Sequence, residues 1–554
     1  MLNKILQNIE NQKISITEWV AAFVGILFVR FLLEAFSNPD PNAGSMQFYG
    51  STLVHYALFY FLALFGIMFI VWFFSGKKVG LPSLFLFALP VIWLPAIIDI
   101  VASSGNGFVM SYIFDNGRQL LFDFLTFFGP HFTEGATIGI RVEVVIFLFG
   151  IGFFVRRAGK KFWTIFFAVL ISYTFIFSLF ALPGILYTAS HIHALDSNQV
   201  TTVGFLNNAI AGSNIKQNIQ DGLMNYSSYV IFFSLGFNKL MSQIFFLLSV
   251  FLLAFWFYKT QKEKFLAVLK NSRPERVLFY GILLSAGALA AFVEGLGSFK
   301  SWVDVMSFAC LLISWYGGWM FAVHTNDIAD VAIDSISNSD RPITGGKLSS
   351  EEMKQTAVIW LLISLVGSFI VGYYPFFMNL VFLTVYYIYS MPPLRFKRVP
   401  IFSSFLISVA ALSSILCGFF FLSTIKDFNI FPMMTALGIM LIFTLGVNIR
   451  DMKDVDGDRA EGIMTLPVIF KEDGAKVVGA LLAASFLLVP VIFSFFTLYI
   501  FAIPAAVVGY KMVVRKPYKE KYVWIVYFSF LLATALLFGG LYLFARALNL
   551  PFSL

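Results

Sequence analysis

Long runs of apolar residues are the feature that most limits how this chain can fold. Many of these runs exceed about 18 residues, the length of a helix that crosses the hydrocarbon core of a bilayer. The 554 residues are 59% hydrophobic and only 12% charged, a balance that excludes an ordinary soluble domain. Because lipid offers no hydrogen-bonding partner to the backbone, runs of this length favour helices. The sequence therefore predicts an all-α polytopic membrane protein.

The apolar runs fall into two groups, separated by a polar linker from Lys259 to Arg276. We predict an N-terminal domain over residues 1–265 and a C-terminal domain over residues 266–554. The N-terminal domain has about six predicted spans, at residues 16–36, 53–75, 81–102, 137–155, 162–188 and 239–258. The C-terminal domain has nine, at residues 277–297, 302–324, 355–373, 375–391, 401–423, 430–449, 474–493, 494–512 and 522–545.

Basic loops indicate how the spans are oriented. Lys and Arg give the chain a formal charge of +8, and in short loops they mark the cytoplasmic side of a membrane. Six N-terminal spans place the loops at Lys77–Lys78, Arg156–Lys161 and Lys259–Lys264 on that side. We therefore expect a multi-pass protein of the plasma membrane of a prokaryotic cell. Its basic loops would contact anionic lipid, and the charge does not indicate nucleic-acid binding.

An acidic cluster follows the apolar run from Trp302 to Val323. Its members Asn326, Asp327, Asp330 and Asp334 fall within an arc of about 100° if the segment is one continuous helix. A solvated cap at the end of a membrane helix would explain a single carboxylate. Three aligned carboxylates repel each other, and they favour a hard divalent cation with oxygen ligands shared between protein and phosphate.

A second acidic cluster has the same spacing and also follows an apolar run. Asp451, Asp454 and Asp458 repeat the i, i+3, i+7 pattern of the first cluster, provided that Gly457 does not break the helix. Alternation of the spans puts both clusters on the cytoplasmic side. If they face each other, they would hold two cations and one diphosphate group between them.

Two further polar stretches are predicted on the cytoplasmic side. One runs from Asn338 to Lys347, and the other runs from Tyr386 to Arg398. Prolines that end a helix and basic residues that anchor it would explain the second stretch without any ligand. Beside the acidic clusters, the same cations would bind phosphate oxygens. The candidate substrate-binding residues are Asn326, Arg341, Tyr386, Tyr389, Arg395, Lys397, Arg398 and Lys453.

Together these stretches resemble the UbiA superfamily of intramembrane prenyltransferases. The resemblance rests on four motifs in the family's order: NDxxDxxxD, DRPI, YSxPPLRxK and RDxxDxxGDRxxGIxTLPV, the last over Arg450 to Val468. It covers roughly residues 274–545, and the count of nine spans agrees with it. Asp456 stands where such sequences often have Glu. Residues 1–265 lie outside the resemblance.

The resemblance implies a Mg²⁺-dependent prenyl transfer from an isoprenoid diphosphate to a lipophilic acceptor. It implies two Mg²⁺ ions, with Asn326, Asp327, Asp330, Asp334, Asp451, Asp454 and Asp458 as ligands. The residues that it implies for catalysis are Asp327, Asp330, Asp451, Asp454, Lys397 and Arg341. Tyr386, Tyr387 and Tyr389 would line the isoprenoid tunnel. The DRPI loop is most similar to branches that act on aromatic acids, glycerol-phosphate ethers or chlorophyllide-like acids.

Two other functions are less consistent with the sequence than prenyl transfer is. A CDP-alcohol phosphotransferase has one contiguous Asp-rich motif with a DGxxAR opening, which this chain lacks. A lipid or isoprenoid transporter would carry charges through the bilayer midplane, whereas the densest charges here lie at one face. For residues 1–265 we expect an accessory module that handles lipid or binds a protein partner. The alternative is a regulator with a ligand near Arg30, Glu34 or Asp99, although Arg30 and Glu34 are also spaced for an internal salt bridge.

Overall fold

Helices form almost all of the chain in the computed structural model, which describes residues 2–37, 46–76, 80–102, 111–130, 135–191, 201–215 and 229–547. These residues contain no β-strand. Among them, fourteen helices are long and apolar enough to cross a membrane, six ending before Lys262 and eight beginning after it. The predicted class of all-α polytopic membrane protein is confirmed. The basic loop Lys77–Lys78 lies outside the described residues.

The chain divides into two compact units. One comprises Met1–Lys262 with Lys300–Met306, and the other comprises Glu263–Phe299 with Ser307–Leu554. The helices of the first unit are α1 Leu2–Glu10, α2 Ile16–Ser37, α3 Met46–Ser75, α4 Leu81–Ala88, α5 Trp93–Ala102, α6 Gly117–Leu125, α7 Ile138–Arg157, α8 Phe162–Phe180, α9 Leu182–Ser190, α10 Thr202–Ala211 and α11 Tyr229–Thr260.

Three buried charged residues of the first unit, Arg30, Glu34 and Asp99, are held by protein partners. Arg30 and Glu34 form an ion pair one helical turn apart, with 2.5 Å between Nη2 and Oε1, so the internal salt bridge is confirmed. The Tyr56 hydroxyl donates to the other Glu34 oxygen at 2.6 Å. Asp99 accepts a hydrogen bond of 2.7 Å from the Thr137 hydroxyl at the start of α7. Each group is therefore compensated inside the unit, as buried charges require.

The second unit contains the helices that follow the linker. They are α12 Lys262–Lys270, α13 Pro274–Val293, α14 Trp302–Ala329, α15 Val331–Ser337, α16 Ser350–Val371, α17 Tyr373–Ser390, α18 Phe402–Leu422, α19 Met433–Gly446, α20 Val455–Ala460, α21 Leu466–Ile469, α22 Gly474–Ile492, α23 Tyr499–Val514 and α24 Glu520–Ala547. Each of the nine predicted spans corresponds to one helix. The span predicted at 375–391 is α17, and it is not among the fourteen apolar helices because Asn379 and several tyrosines make it more polar.

Close contact between α13 and α18 organises the second unit. A Cβ atom at Gly287 would overlap the carbonyl of Ile415, and one at Gly418 would overlap the carbonyl of Leu284. Glycine at both positions lets the two backbones touch, as small residues do where membrane helices pack. Inside the same unit, the amide of Asn379 donates to the Ser364 carbonyl at 2.9 Å, which satisfies a buried polar group.

Candidate active site at the ends of two membrane helices

Both acidic clusters contain a break in the helix at their middle carboxylate. Asp330 has φ −109° and ψ 18° between α14 and α15, and Asp454 has φ −103° and ψ 7° between a 3-10 segment, Val447–Lys453, and α20. The prediction of one continuous helix through each cluster is therefore wrong. Gly457 lies inside α20 and does not cause the second break. The short helices that follow the two breaks, α15 and α20, pack against each other.

Most of the predicted site residues line a single cavity. It is lined from both clusters by Asn326, Asp330, Asp334, Asp451, Asp454 and Asp458. It is lined from the basic and aromatic stretches by Arg341, Tyr386, Tyr389, Lys397 and Lys453. Two segments more than a hundred residues apart thus present their carboxylates to one space. The hydrogen bond of 2.9 Å from the Asn338 amide to Asp454 connects the two clusters.

Asp330 pairs with two basic side chains through one of its carboxylate oxygens. Lys397 Nζ lies 2.5 Å and Arg395 Nη2 lies 2.7 Å from the same Asp330 oxygen, and the Asn326 amide donates to the other oxygen. Lys397 is buried, so its charge must be compensated by this pair. The basic stretch that follows α17 therefore contacts the first acidic cluster. Arg395 makes such a contact although it does not line the cavity.

Asp327 does not line the cavity, in contrast to the other members of its cluster. It is 2% exposed and accepts hydrogen bonds from Asn271 at 2.7 Å, Arg273 at 2.8 Å and Arg341 at 3.1 Å. Arg341 also pairs with Asp334. In this arrangement Asp327 positions two arginines, and the other carboxylates of the clusters are the ones that face the cavity.

Burial raises the pKa of two carboxylic acids that face each other across the site. The pKa of Asp334 rises to about 6 and that of Asp458 to about 7, in both cases chiefly because burial penalises the charged form. The neighbouring Asp451 carboxylate raises the pKa of Asp458 further. A cation bound between the clusters would relieve this cost, because it would stabilise the charged carboxylates.

Several residues of the site were missed by the sequence analysis. Arg273, Arg276, Trp319 and Arg450 line the cavity. Arg273 and Arg276 stand in the predicted linker, where their charge was taken as a sign of topology. The Arg450 guanidinium lies 4.8 Å from the Tyr389 ring centroid. In the sequence, only the position of Arg450 next to Asp451 of the second acidic cluster could have indicated a role.

A further missed residue is Glu520 in the first turn of α24. Its carboxylate pairs with Arg276 at 3.0 Å and with Lys453 at 3.3 Å, and the indole of Trp524 donates to it at 3.1 Å. Glu520 thus holds two cations that line the cavity. No sequence motif contains this residue, so no local pattern could have indicated it.

Two predicted residues lie away from the cavity. The Tyr387 side chain is 46% exposed, because it lies on the opposite side of α17 from Tyr386 and Tyr389. Arg398 is exposed and is not among the lining residues. Of the three tyrosines predicted for the site, Tyr386 and Tyr389 line the cavity.

The oxygen ligands of the cavity fit Mg²⁺ in its usual mode. In the part of the chain that is described, no three His, Cys, Asp or Glu side chains stand close enough to hold a metal ion alone. Mg²⁺ commonly takes one or two carboxylates and completes its octahedron with substrate phosphate and water. Asp330, Asp334, Asp451, Asp454 and Asp458 supply such carboxylates on two sides of one space.

Comparison with known proteins finds relatives of the second unit. Residues 281–532 match the sequence model of the UbiA prenyltransferase family. The digeranylgeranylglyceryl phosphate synthase of Methanocaldococcus jannaschii is 26% identical over 203 residues, which is 35% of this chain and 69% of the relative. Naringenin 8-dimethylallyltransferase 2 of Sophora flavescens is 28% identical over 200 residues, 32% of this chain and only 49% of the relative.

One solved structure that resembles the chain is a UbiA homologue from Archaeoglobus fulgidus bound to GPP and Mg²⁺. It shows 19% identity and a TM-score of 0.38, and the similarity covers 48% of this chain and 96% of that one. The sequence matches and the four motifs refer to the same part of the molecule. The C-terminal half of this chain, over residues 281–532, therefore belongs to the UbiA prenyltransferase family.

Proposed function

We propose that the chain transfers a prenyl group from an isoprenoid diphosphate to a lipophilic acceptor and releases diphosphate. The observation that carries this proposal is the cavity in which both acidic clusters meet a group of fixed cations, at the ends of membrane helices. This placement lets an apolar prenyl chain stay among the helices while its diphosphate reaches polar ligands.

The residues of the cavity have distinct roles in this proposal. The carboxylates of both clusters would hold two Mg²⁺ ions, which would balance the diphosphate charge as the bond to the prenyl carbon breaks. Arg341, Lys397 and Lys453 would donate to diphosphate oxygens that the metal leaves free. Because these cations are already held by carboxylates, little reorganisation is needed when charge develops on the leaving group.

Aromatic residues would protect the prenyl cation. Tyr386, Tyr389 and Trp319 line the cavity, and the hydroxyls of Tyr280 and Tyr386 are hydrogen-bonded to each other. Their ring faces would stabilise a positive charge, and their bulk would keep water away from the reacting carbon. The arrangement favours capture of the cation by the acceptor over hydrolysis.

The acceptor would be an aromatic acid, a glycerol-phosphate ether or a similar lipophilic molecule. The two relatives described above are named for different molecules, digeranylgeranylglyceryl phosphate and naringenin. Mass spectrometry of lipids from membranes that express the chain tests the proposal directly. A new lipid whose mass exceeds that of an acceptor by one prenyl group is the expected result. Unchanged lipids after feeding with all these acceptor classes would contradict it.

We propose that the active site faces the cytoplasm, and cysteine labelling would test this orientation. Cysteine introduced by Ser349→Cys or Lys471→Cys should react with an impermeant thiol reagent only after the cytoplasmic face is opened. Both positions are exposed and lie on the second unit near the motifs. The native Cys310 and Cys417 are buried and provide an unreactive background. Labelling from outside intact cells would contradict the proposed orientation.

We propose that residues 1–265 form an accessory membrane module and that the catalytic parts lie beyond it. Each residue that lines the described cavity is numbered 273 or higher. A chain that begins at Gln261 should therefore still bind geranyl diphosphate with Mg²⁺, with an affinity within about tenfold of the full chain, because no ligand is removed. Equilibrium dialysis in detergent measures this affinity. A shortened chain that is monodisperse and thermally stable yet does not bind would show that the two halves share the site.

A further inference from the structure

A second cavity lies beside the first and is lined by a different set of polar groups. We call it the phosphate vestibule and define it by Lys270, Asn271, Asn338, Ser339, Arg341 and Lys347. Its volume is about 320 Å³, which is enough for a hydrated phosphate group. Arg341 is paired with Asp327 and Asp334, and the other two cations of the lining, Lys270 and Lys347, face one carboxylate, that of Asp340. The charge of the vestibule is therefore positive on balance.

The vestibule is connected to the active site by side chains that reach both. Arg341 lines the two cavities and pairs with Asp327 and Asp334. Asn271 donates to Asp327 at 2.7 Å, and Asn338 donates to Asp454 at 2.9 Å. The wall between the cavities therefore consists of three hydrogen-bonding side chains. Rotation of these side chains would bring a group in the vestibule into contact with the acidic clusters.

The two lysines of the vestibule are not neutralised, in contrast to Arg341. The turn that carries Lys347 is fixed by its own backbone, with Gly345 donating to the Arg341 carbonyl at 2.7 Å and Lys347 donating to the Pro342 carbonyl at 2.9 Å. The ammonium groups of Lys270 and Lys347 form no ion pair with any residue in the described ranges. Two uncompensated lysines beside amide and hydroxyl donors are suited to a phosphate group.

We propose that the phosphate vestibule binds a phosphate-bearing group on its way between the active site and water. This inference rests on the proposed function for the source of that group, which is either the released diphosphate or the phosphate of the acceptor. A released diphosphate carries several charges and cannot leave through hydrocarbon. The vestibule offers it a path of positive potential, which speeds the movement of anions.

Binding of inorganic diphosphate to the full chain in EDTA tests the proposal. Without Mg²⁺, no cation bridges the active-site carboxylates to diphosphate, and a loss of binding caused by substitution of the vestibule lysines alone reports on the vestibule. The double variant Lys270→Ala/Lys347→Ala should bind diphosphate about tenfold or more weakly, because charge-assisted hydrogen bonds are lost. The control is Lys354→Ala/Lys476→Ala, which removes two exposed lysines elsewhere on the same unit and should bind as the unaltered chain does.

Equal affinity of the double variant and the unaltered chain would overturn the proposal, as would no binding by the unaltered chain. Because Lys270 and Lys347 are exposed, both double variants should melt at the temperature of the unaltered chain. The assay requires no prenyl transfer, so it can succeed even if the proposed function fails. In turnover, a raised inhibition constant for diphosphate assigns the vestibule to the product. A raised KM only for acceptors that carry phosphate assigns it to the acceptor.

Discussion

Replacing Asp330 or Asp454 by asparagine should lower the rate of prenyl transfer by on the order of a hundredfold or more. Each aspartate lies at the helix break of its cluster and faces the common cavity. Asparagine keeps the shape of the side chain but removes the negative charge that would balance Mg²⁺. The ammonium of Lys397 would also lose its closest charged partner in Asp330→Asn. Initial rates with geranyl diphosphate at saturating Mg²⁺ measure the loss.

A neighbouring residue provides the control for this experiment. Asp456 stands in the same motif as Asp454, but its side chain is 85% exposed and is not among those that line the cavity. Asp456→Asn should therefore leave the rate within about twofold of the unaltered chain, since surface substitutions rarely alter a distant site. Full activity of the unaltered chain in EDTA, or equal losses at Asp454 and Asp456, would exclude the proposed role of the clusters.

The substitution Glu520→Gln should lower kcat/KM for the isoprenoid diphosphate by about tenfold to a hundredfold. Glu520 holds Arg276 and Lys453 in the cavity wall through its two oxygens. The three side chains are partly buried, with exposed fractions of 13% to 27%, so the loss of the Glu520 charge leaves Arg276 and Lys453 incompletely compensated. Arg276 and Lys453 would then move apart and no longer meet the diphosphate in a fixed geometry.

A positioning role for Glu520 predicts more than a loss of stability. Glu520→Asp keeps the charge and should recover part of the affinity for diphosphate, whereas a purely structural role predicts equal defects in both variants. Glu351→Gln is the matched control, because Glu351 is 66% exposed and pairs only loosely with Lys354 at 3.8 Å. If Glu520→Gln melts at a lower temperature yet turns over normally, Glu520 has no part in the site.

The acidic clusters show how far a local pattern can be interpreted. The spacing of Asp327, Asp330 and Asp334, and its repetition at Asp451, Asp454 and Asp458, indicated the residues that matter and the ion they would bind. The same spacing predicted unbroken helices, which the structure does not contain. Asp327 fits the motif as well as Asp330 does, yet three donors cover it. A helical pattern gives the side of a helix on which a residue lies, but not the partners that compete for it.

The basic residues of the site were harder to predict from the sequence than the acidic ones, because their positions depend more on tertiary structure. The stretch at Arg395 and Lys397 was identified because it stands beside a recognised motif, and both residues contact Asp330. Arg273 and Arg276 were assigned to a linker, because a cation near a membrane helix is far more often a topological marker than a ligand. Only the tertiary structure shows that they line the cavity.

The sequence by itself determined the class of the protein and the bounds of most of its helices, and it predicted the residues of the acidic site. Those properties depend on the composition of apolar runs and on spacings within about ten residues, which the chain displays directly. Tertiary structure alone decided which cations meet which carboxylates. Glu520 pairs with Arg276, a residue 244 positions earlier in the chain, and Asn338 reaches Asp454 across 116 positions. Such pairs depend on how helices pack and where they break, and no local pattern records either.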